Sequence, residues 1–172
     1  MTGLVAEAGA ALTASGQTLE QREEKFRDLL REGFDMPFIA KVSLGKQWRK
    51  VEPAERETYV ALFSEFVLKT YAPRLGKFDP ELFHVDDATP KGKRDMLVAS
   101  RIAQPGGGDV KAGWRIRLVN GQHKIVDIVV EGISMALNQR REFSAVIKKD
   151  GVAGLMELLR ARTQSLSVQA PS

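Results

Sequence analysis

The sequence predicts an α+β domain in which one antiparallel sheet carries helices packed against one face. Apolar residues recur at helical spacing up to Tyr71, alternate with polar ones from Met96 to Glu131, and return to helical spacing after Ser134. An Asn120-Gly121 pair, suited to the positive φ angles of a tight hairpin, splits the alternating stretch. The order helices, sheet, helices keeps the two kinds of element apart, which is the mark of an α+β fold. With 172 residues, 43 % of them apolar and 28 % charged, the chain is long enough for one core and unlike a disordered or collagen-like sequence.

Thr18 and Gln21 spell a capping box at the head of a helix over about residues 18 to 33, with Phe26, Leu29 and Leu30 as its apolar positions. Asp35 ahead of Met36-Pro37 starts a short second helix that puts Phe38, Ile39 and Val42 on one face, and Gly45 ends or kinks it. Pro53 opens a third helix, where Tyr59, Leu62, Phe63, Phe66, Val67 and Tyr71 form a wide apolar stripe. Gly76, Pro80, Pro90 and Gly92 then interrupt the chain, and strands are expected from Met96 onward. Met96, Val98 and Ile102 share one strand face, and beyond the Pro105–Gly108 turn Trp114, Ile116 and Leu118 share the next, with Arg115 and Arg117 opposite. Past the hairpin, period two places Val126, Ile128 and Val130 together and Asp127 on the other side. Ser134 can cap a helix carrying Phe143, Val146 and Ile147, and Asp150-Gly151 opens a last one with Val152, Leu155, Met156 and Leu159. The expected organisation is a flexible segment over 1–17, one domain over 18–163 and a tail over 164–172.

Several chemistries find no support in the residues. Cys is absent, which removes disulfides, thiolate nucleophiles and metal-thiolate sites. No apolar run reaches the roughly 18 to 20 residues of a membrane span, so no stable membrane insertion is expected. Met1–Gly16 lacks the basic start of a signal peptide, and an exported protein would stand here in its mature form behind a start Met. His84, beside Asp86 and Asp87, lacks a second ligand cluster, and His123 follows the hairpin, so both read as surface residues and no metal is expected. Gly106-Gly107-Gly108 lies between strands and reads as a hairpin loop, because a phosphate cradle needs a helix after it. Asp127 reads as a solvent-face residue, although a pocket carboxylate there could serve as a general base. The net charge of +4 identifies no partner, and the basic strand residues Lys91, Lys93, Arg94, Arg101, Lys111, Arg115 and Arg117 have only Trp114 interleaved among them, so no nucleic acid is expected.

The segment Phe34-Asp35-Met36-Pro37-Phe38-Ile39-Ala40-Lys41-Val42-Ser43-Leu44-Gly45, with Trp48, Glu52-Pro53-Ala54-Glu55-Arg56, Tyr59, Phe63 and Tyr71, resembles the MlaC family, also called toluene-tolerance auxiliary proteins. So do Trp114-Arg115, Lys124-Ile125-Val126-Asp127, Val130-Glu131-Gly132-Ile133-Ser134-Met135 and the stretch Phe143 to Leu159 with Gly151-x-x-Gly154-Leu155. The likeness spans about residues 18 to 162 in one order. It implies a twisted antiparallel sheet of about four strands, wrapped on one face by N- and C-terminal helices, with an apolar cavity between them. It also implies a periplasmic lipid shuttle without catalysis or cofactor, carrying phospholipid between an outer-membrane lipoprotein complex and the MCE-domain protein of an inner-membrane ABC transporter, and so maintaining envelope lipid asymmetry. A hopanoid-associated subgroup makes a polycyclic lipid the alternative ligand, and a small-molecule enzyme on a cone-like α+β fold is a remoter one.

On that architecture the expected lining is Phe38, Ile39, Val42, Leu62, Phe63 and Phe66 from the helices. Val98, Trp114, Ile116, Ile128, Val130 and Ile133 complete it from the sheet and its border. Arg101, Arg115 and Arg117 are expected at the mouth, facing a head group or an acidic partner.

Overall fold

The chain starts its first helix through the capping box: Thr18 Oγ1 accepts from the Gln21 backbone N–H at 3.2 Å while Gln21 Oε1 accepts from that of Thr18 at 3.1 Å. The computed structural model describes residues 3, 5, 6, 16, 18–73, 80–104 and 106–169, with backbone alone for 80 and 167–169. Helix α1 (Leu19–Gly33) buries Phe26 and Leu30. Helix α2 (Met36–Leu44) is capped by Asp35, whose Oδ1 accepts from the Phe38 N–H at 3.1 Å, and Pro37 stands in its first turn. Gly45 ends it at φ +57°, donating its N–H to the carbonyls of Lys41 and Val42. A 3₁₀ turn (Gly45–Lys50) leads to helix α3 (Pro53–Tyr71).

Five antiparallel strands follow in chain order: β1 (Phe83–Lys91), β2 (Asp95–Ala103), β3 (Asp109–Val119), β4 (Gln122–Val130) and the two-residue β5 (Ile133–Ser134). The sequence pattern concealed β1, because Pro90 and a run of polar residues argued against a strand. As the edge strand it needs no inward N–H from Pro90, which sits opposite Met96. Asn120 and Gly121 turn the β3–β4 hairpin at φ +50° and +79°, as their sequence predicts. Helix α4 (Met135–Gln169) changes direction at Gly151, φ +72°, where a separate last helix was expected, and it continues through the first residues of the expected tail.

The side-chain alternation of β4 fails at one point. Arg115 pairs with Asp127 but Ile116 pairs with Ile125, so Val126 is an extra residue in a bulge. Ile125, not Val126, therefore joins Ile128 on the helix-covered face, and the expected parity of Val126 with Ile128 is overturned by this one-residue slip. The open edge of β4 at Ile125 is closed by the chain between α1 and α2, where the Asp35 N–H donates to the Ile125 carbonyl at 3.0 Å.

Phe26, Leu30, Tyr59, Phe63, Phe66, Phe143, Leu155 and Leu159 from the helices meet Val98, Trp114, Ile116 and Ile125 from the sheet in one core. Val5 is fully buried in it, whereas most of the expected flexible segment 1–17 lies outside the described residues. Phe143 is the hub of the aromatic packing, 6.1 Å from Phe63 edge-on and 6.2 Å from Phe66. Two hydroxyl chains satisfy the buried Tyr59, Ser43, Trp114 and Ser100 side chains. Tyr59 donates to Ser43 Oγ at 2.6 Å and Ser43 to the Ala40 carbonyl at 2.7 Å. Trp114 Nε1 donates to Ser100 Oγ at 2.8 Å and Ser100 to the Ala112 carbonyl at 3.2 Å. Burial pushes the Tyr59 phenol far above its usual range despite the Ser43 bond, so it stays a neutral donor. Truncating the hub should leave a cavity among three elements: Phe143→Ala is expected to lower stability by about 3–5 kcal/mol, read as a lower urea midpoint with an unchanged slope.

Candidate functional site

A groove of ≈ 340 Å³ lies on the face of the sheet turned away from the core. Alternation that sends Val98, Trp114 and Ile128 inward sends Leu97, Arg115, Asp127 and Val129 outward, and these form its floor. Gly113 lets the floor lie flat, since a Cβ there would stand 3.0 Å from Leu97 Cδ1. Phe38 and Val42, on the flank of α2 away from its buried residues Met36, Ala40 and Leu44, make one wall with the bulged Val126. Gly132, Ser134, Ala136 and Leu137, at the start of α4, make another, and Lys91 stands at the rim. Leu137 is 51 % exposed, an apolar lip beside the opening.

The polar groups of this region are arranged around two carboxylates. Asp95, 4 % exposed, accepts from Nε of Arg115 and from Nε (2.6 Å) and Nη2 (3.0 Å) of Arg117. The Arg117 guanidinium in turn lies 4.7 Å from the Phe38 ring centre, which ties the wall of α2 to β3. Hydrogen bonds from Arg117, and then from Arg115, hold the Asp95 carboxyl below the usual carboxylate range although desolvation opposes this. Asp127 is half-buried on the groove floor, where the sequence reading had a solvent-face residue. Its Oδ1 accepts from the backbone N–H of Ile128 at 2.9 Å and Ala136 at 3.1 Å, its Oδ2 accepts from the Ser134 hydroxyl, and Ser134 Oγ accepts from the Leu137 N–H at 3.2 Å. The pair thus caps α4, confirming the expected capping role of Ser134.

Residues expected around a cavity fall into three places. Phe38, Val42 and Arg115 border the groove. Phe63, Phe66, Val98, Trp114 and Ile116 are buried in the core, with Ile39, Leu62 and Ile128 packed against it. Val130 is half-buried on the helix-covered face, and its register partner Ile133 is exposed and outside the groove lining. Of the expected head-group cations, Arg117 is engaged as described and Arg101 stands at the other end of β2, bonded to Asp86 at 2.7 Å and Asp109 at 3.3 Å. Leu97, Val129 and Asp95 were not singled out by sequence, and Lys91 was named only among the basic strand residues. The signal for Asp95 was present, because counting back from the hairpin sets it opposite Arg117. His84 and His123 are exposed. A depression on α1 bordered by Gln21, Glu24, Lys25 and Asp28 has only hydrophilic described residues on it.

A family model described as MlaC protein matches residues 4–161. The chain belongs to the MlaC family. Among solved structures, a phospholipid-binding protein from Ralstonia solanacearum, determined in complex with a phospholipid, matches this MlaC-family chain with a TM-score of 0.80 over 96 % of each chain at 20 % sequence identity. The two share the α+β fold. No described helix of the MlaC-family chain is long and apolar enough to cross a membrane.

The Asp95 cluster makes a signed prediction. A native carboxyl held below its unfolded value of about 3.9 contributes stability that is complete above that pH and is lost as pH falls through the lower native value. Asp95→Asn is expected to lower stability by about 1–3 kcal/mol at neutral pH, since it leaves two guanidiniums without their shared acceptor. Urea unfolding across a pH series should show the gap to wild type closing below about pH 4.

Proposed function

We propose that the protein is a non-catalytic lipid carrier that takes phospholipid in the groove on the outer face of the sheet. The observation that carries this reading is an apolar floor and walls, Leu97, Val129, Phe38 and Val42, next to the cations Lys91 and Arg115. That is the layout an amphiphile needs. Membership of the MlaC family and a fold shared with a protein that holds phospholipid support it. Each buried methylene is worth about 0.8 kcal/mol, so an acyl chain crosses water only when an apolar surface replaces the bilayer. At ≈ 340 Å³ the groove is near the low end of ligand pockets, about 300–1,000 Å³, and a two-chain lipid requires its walls to move. Ile39 of α2 and Leu62, Phe63 and Phe66 of α3 lie on the core side of that wall, and its displacement opens a path for a chain toward those residues, as the family architecture implies.

In the cell this carrier works in the periplasm, between an outer-membrane lipoprotein complex and the MCE-domain protein of an inner-membrane ABC transporter. Asp127, the carboxylate an enzyme would need in this groove, has both oxygens bonded to its own chain, which favours binding over proton transfer.

Native mass spectrometry of the purified protein, with extraction of what it releases, tests the reading. A one-to-one adduct with the mass of a two-chain phospholipid is expected. A polycyclic terpenoid would assign the protein to hopanoid carriage, and an empty protein that stays empty after incubation with phospholipid vesicles would reject carriage. Val129→Glu, a charge on the floor of the groove, is expected to reduce the adduct at least about tenfold while circular dichroism stays that of the wild type.

A further inference from the structure

The charged groups around the groove are unequally committed. Asp127 has both oxygens bonded, as described, and in the first turn of α4 the N–H groups of Ala136 and Leu137 are taken by Asp127 and Ser134. Arg117 gives two nitrogens to Asp95 and its flat face to Phe38. Arg115 differs. It is held through Nε alone, so its two terminal nitrogens have no partner among the described residues, and its side chain is 41 % exposed on the groove. Lys91, across the floor, has no partner for its ammonium among the described residues.

We propose that the groove selects its lipid by head-group charge: a net-negative phosphate head is taken between the terminal nitrogens of Arg115 and the ammonium of Lys91, with the chain on Leu97 and Val129. This rests on the lipid-carrier reading. Asp95 does not border the groove and acts as a positioning residue, fixing Nε so that the free end of the guanidinium fork is presented with little rotamer freedom left to lose. A zwitterionic head brings its own cation into a site whose two cations, Lys91 and Arg115, already outnumber the one carboxylate on its lining, Asp127. A phosphatidylglycerol head brings none.

The full chain is incubated with vesicles of equimolar dioleoyl phosphatidylglycerol and dioleoyl phosphatidylcholine, re-isolated and extracted, and the ratio of the two lipids is measured. Wild type is expected to favour phosphatidylglycerol about fivefold, the scale of one exposed charge pair. Lys91→Gln and Arg115→Gln should bring the ratio toward one. Asp95→Asn should do so as well, where a purely structural role would lower both lipids together. Lys111→Gln, an exposed cation outside the groove lining, should leave the ratio where it is. Lys91 stands at the end of an exposed hairpin, so its variant folds even if loss of Arg115 does not. Equal loading by wild type would overturn the head-group inference and leave lipid carriage standing, whereas loading of neither lipid would overturn both. Inorganic phosphate that displaces phosphatidylglycerol selectively supports the inference, and phosphate that binds without affecting either lipid would assign the cations to a free anion and overturn it.

Discussion

A nearly buried carboxylate with two guanidinium partners sets the geometry of the outer face. Asp95 at that depth would carry a desolvation cost of several kcal/mol if left alone, and the two arginines that relieve it stand two apart on β3, on one side of the strand by its pleat. Arg117 extends the connection to Phe38. One wall of the groove is thereby joined to the sheet by charge and a ring face, in addition to the Asp35–Ile125 backbone bond at the head of α2. The same helix buries Met36, Ala40 and Leu44, so any movement of this wall is felt in the core beneath.

The opposite wall depends on the bulge at Val126. By adding a residue, β4 keeps Ile125 and Ile128 in the core and still turns Asp127 outward, where it reaches the β5 turn and the start of α4. Without the slip, Asp127 would point into the helices as an uncompensated charge. With it, the same carboxylate fixes where the last helix begins, and that start is also the border of the groove.

Sequence reasoning went furthest where the signal is local. The Thr18 box, the Asp35 and Ser134 caps, the Asn120-Gly121 turn and the break at Gly151 each depend on a few adjacent residues, and each is present. Strand β1 was illegible because an edge strand is not obliged to alternate, and its partner strand supplies the order its own residues lack. The groove was legible only in part. Phe38 and Val42 lie on a stripe that periodicity finds, but whether a stripe fills a core or borders an opening depends on what faces it. Leu97 and Val129 fall on the polar parity of their strands, so alternation assigned them to solvent, and only the packing of α2 and α4 over that face makes them a floor.

The outermost strand has a consequence for how such a molecule survives among copies of itself. β1 is bulged at Asp86, carries Pro90, and is studded with exposed His84, Asp87 and Lys91, while Arg101 fastens the bulge to β2 and, through Asp109, to β3. An edge so bent and charged is a poor template for another strand. The molecule can display a greasy side chain such as Leu137 beside its opening, yet its sheet offers little foothold for the end-to-end growth that turns sticky proteins into fibrils.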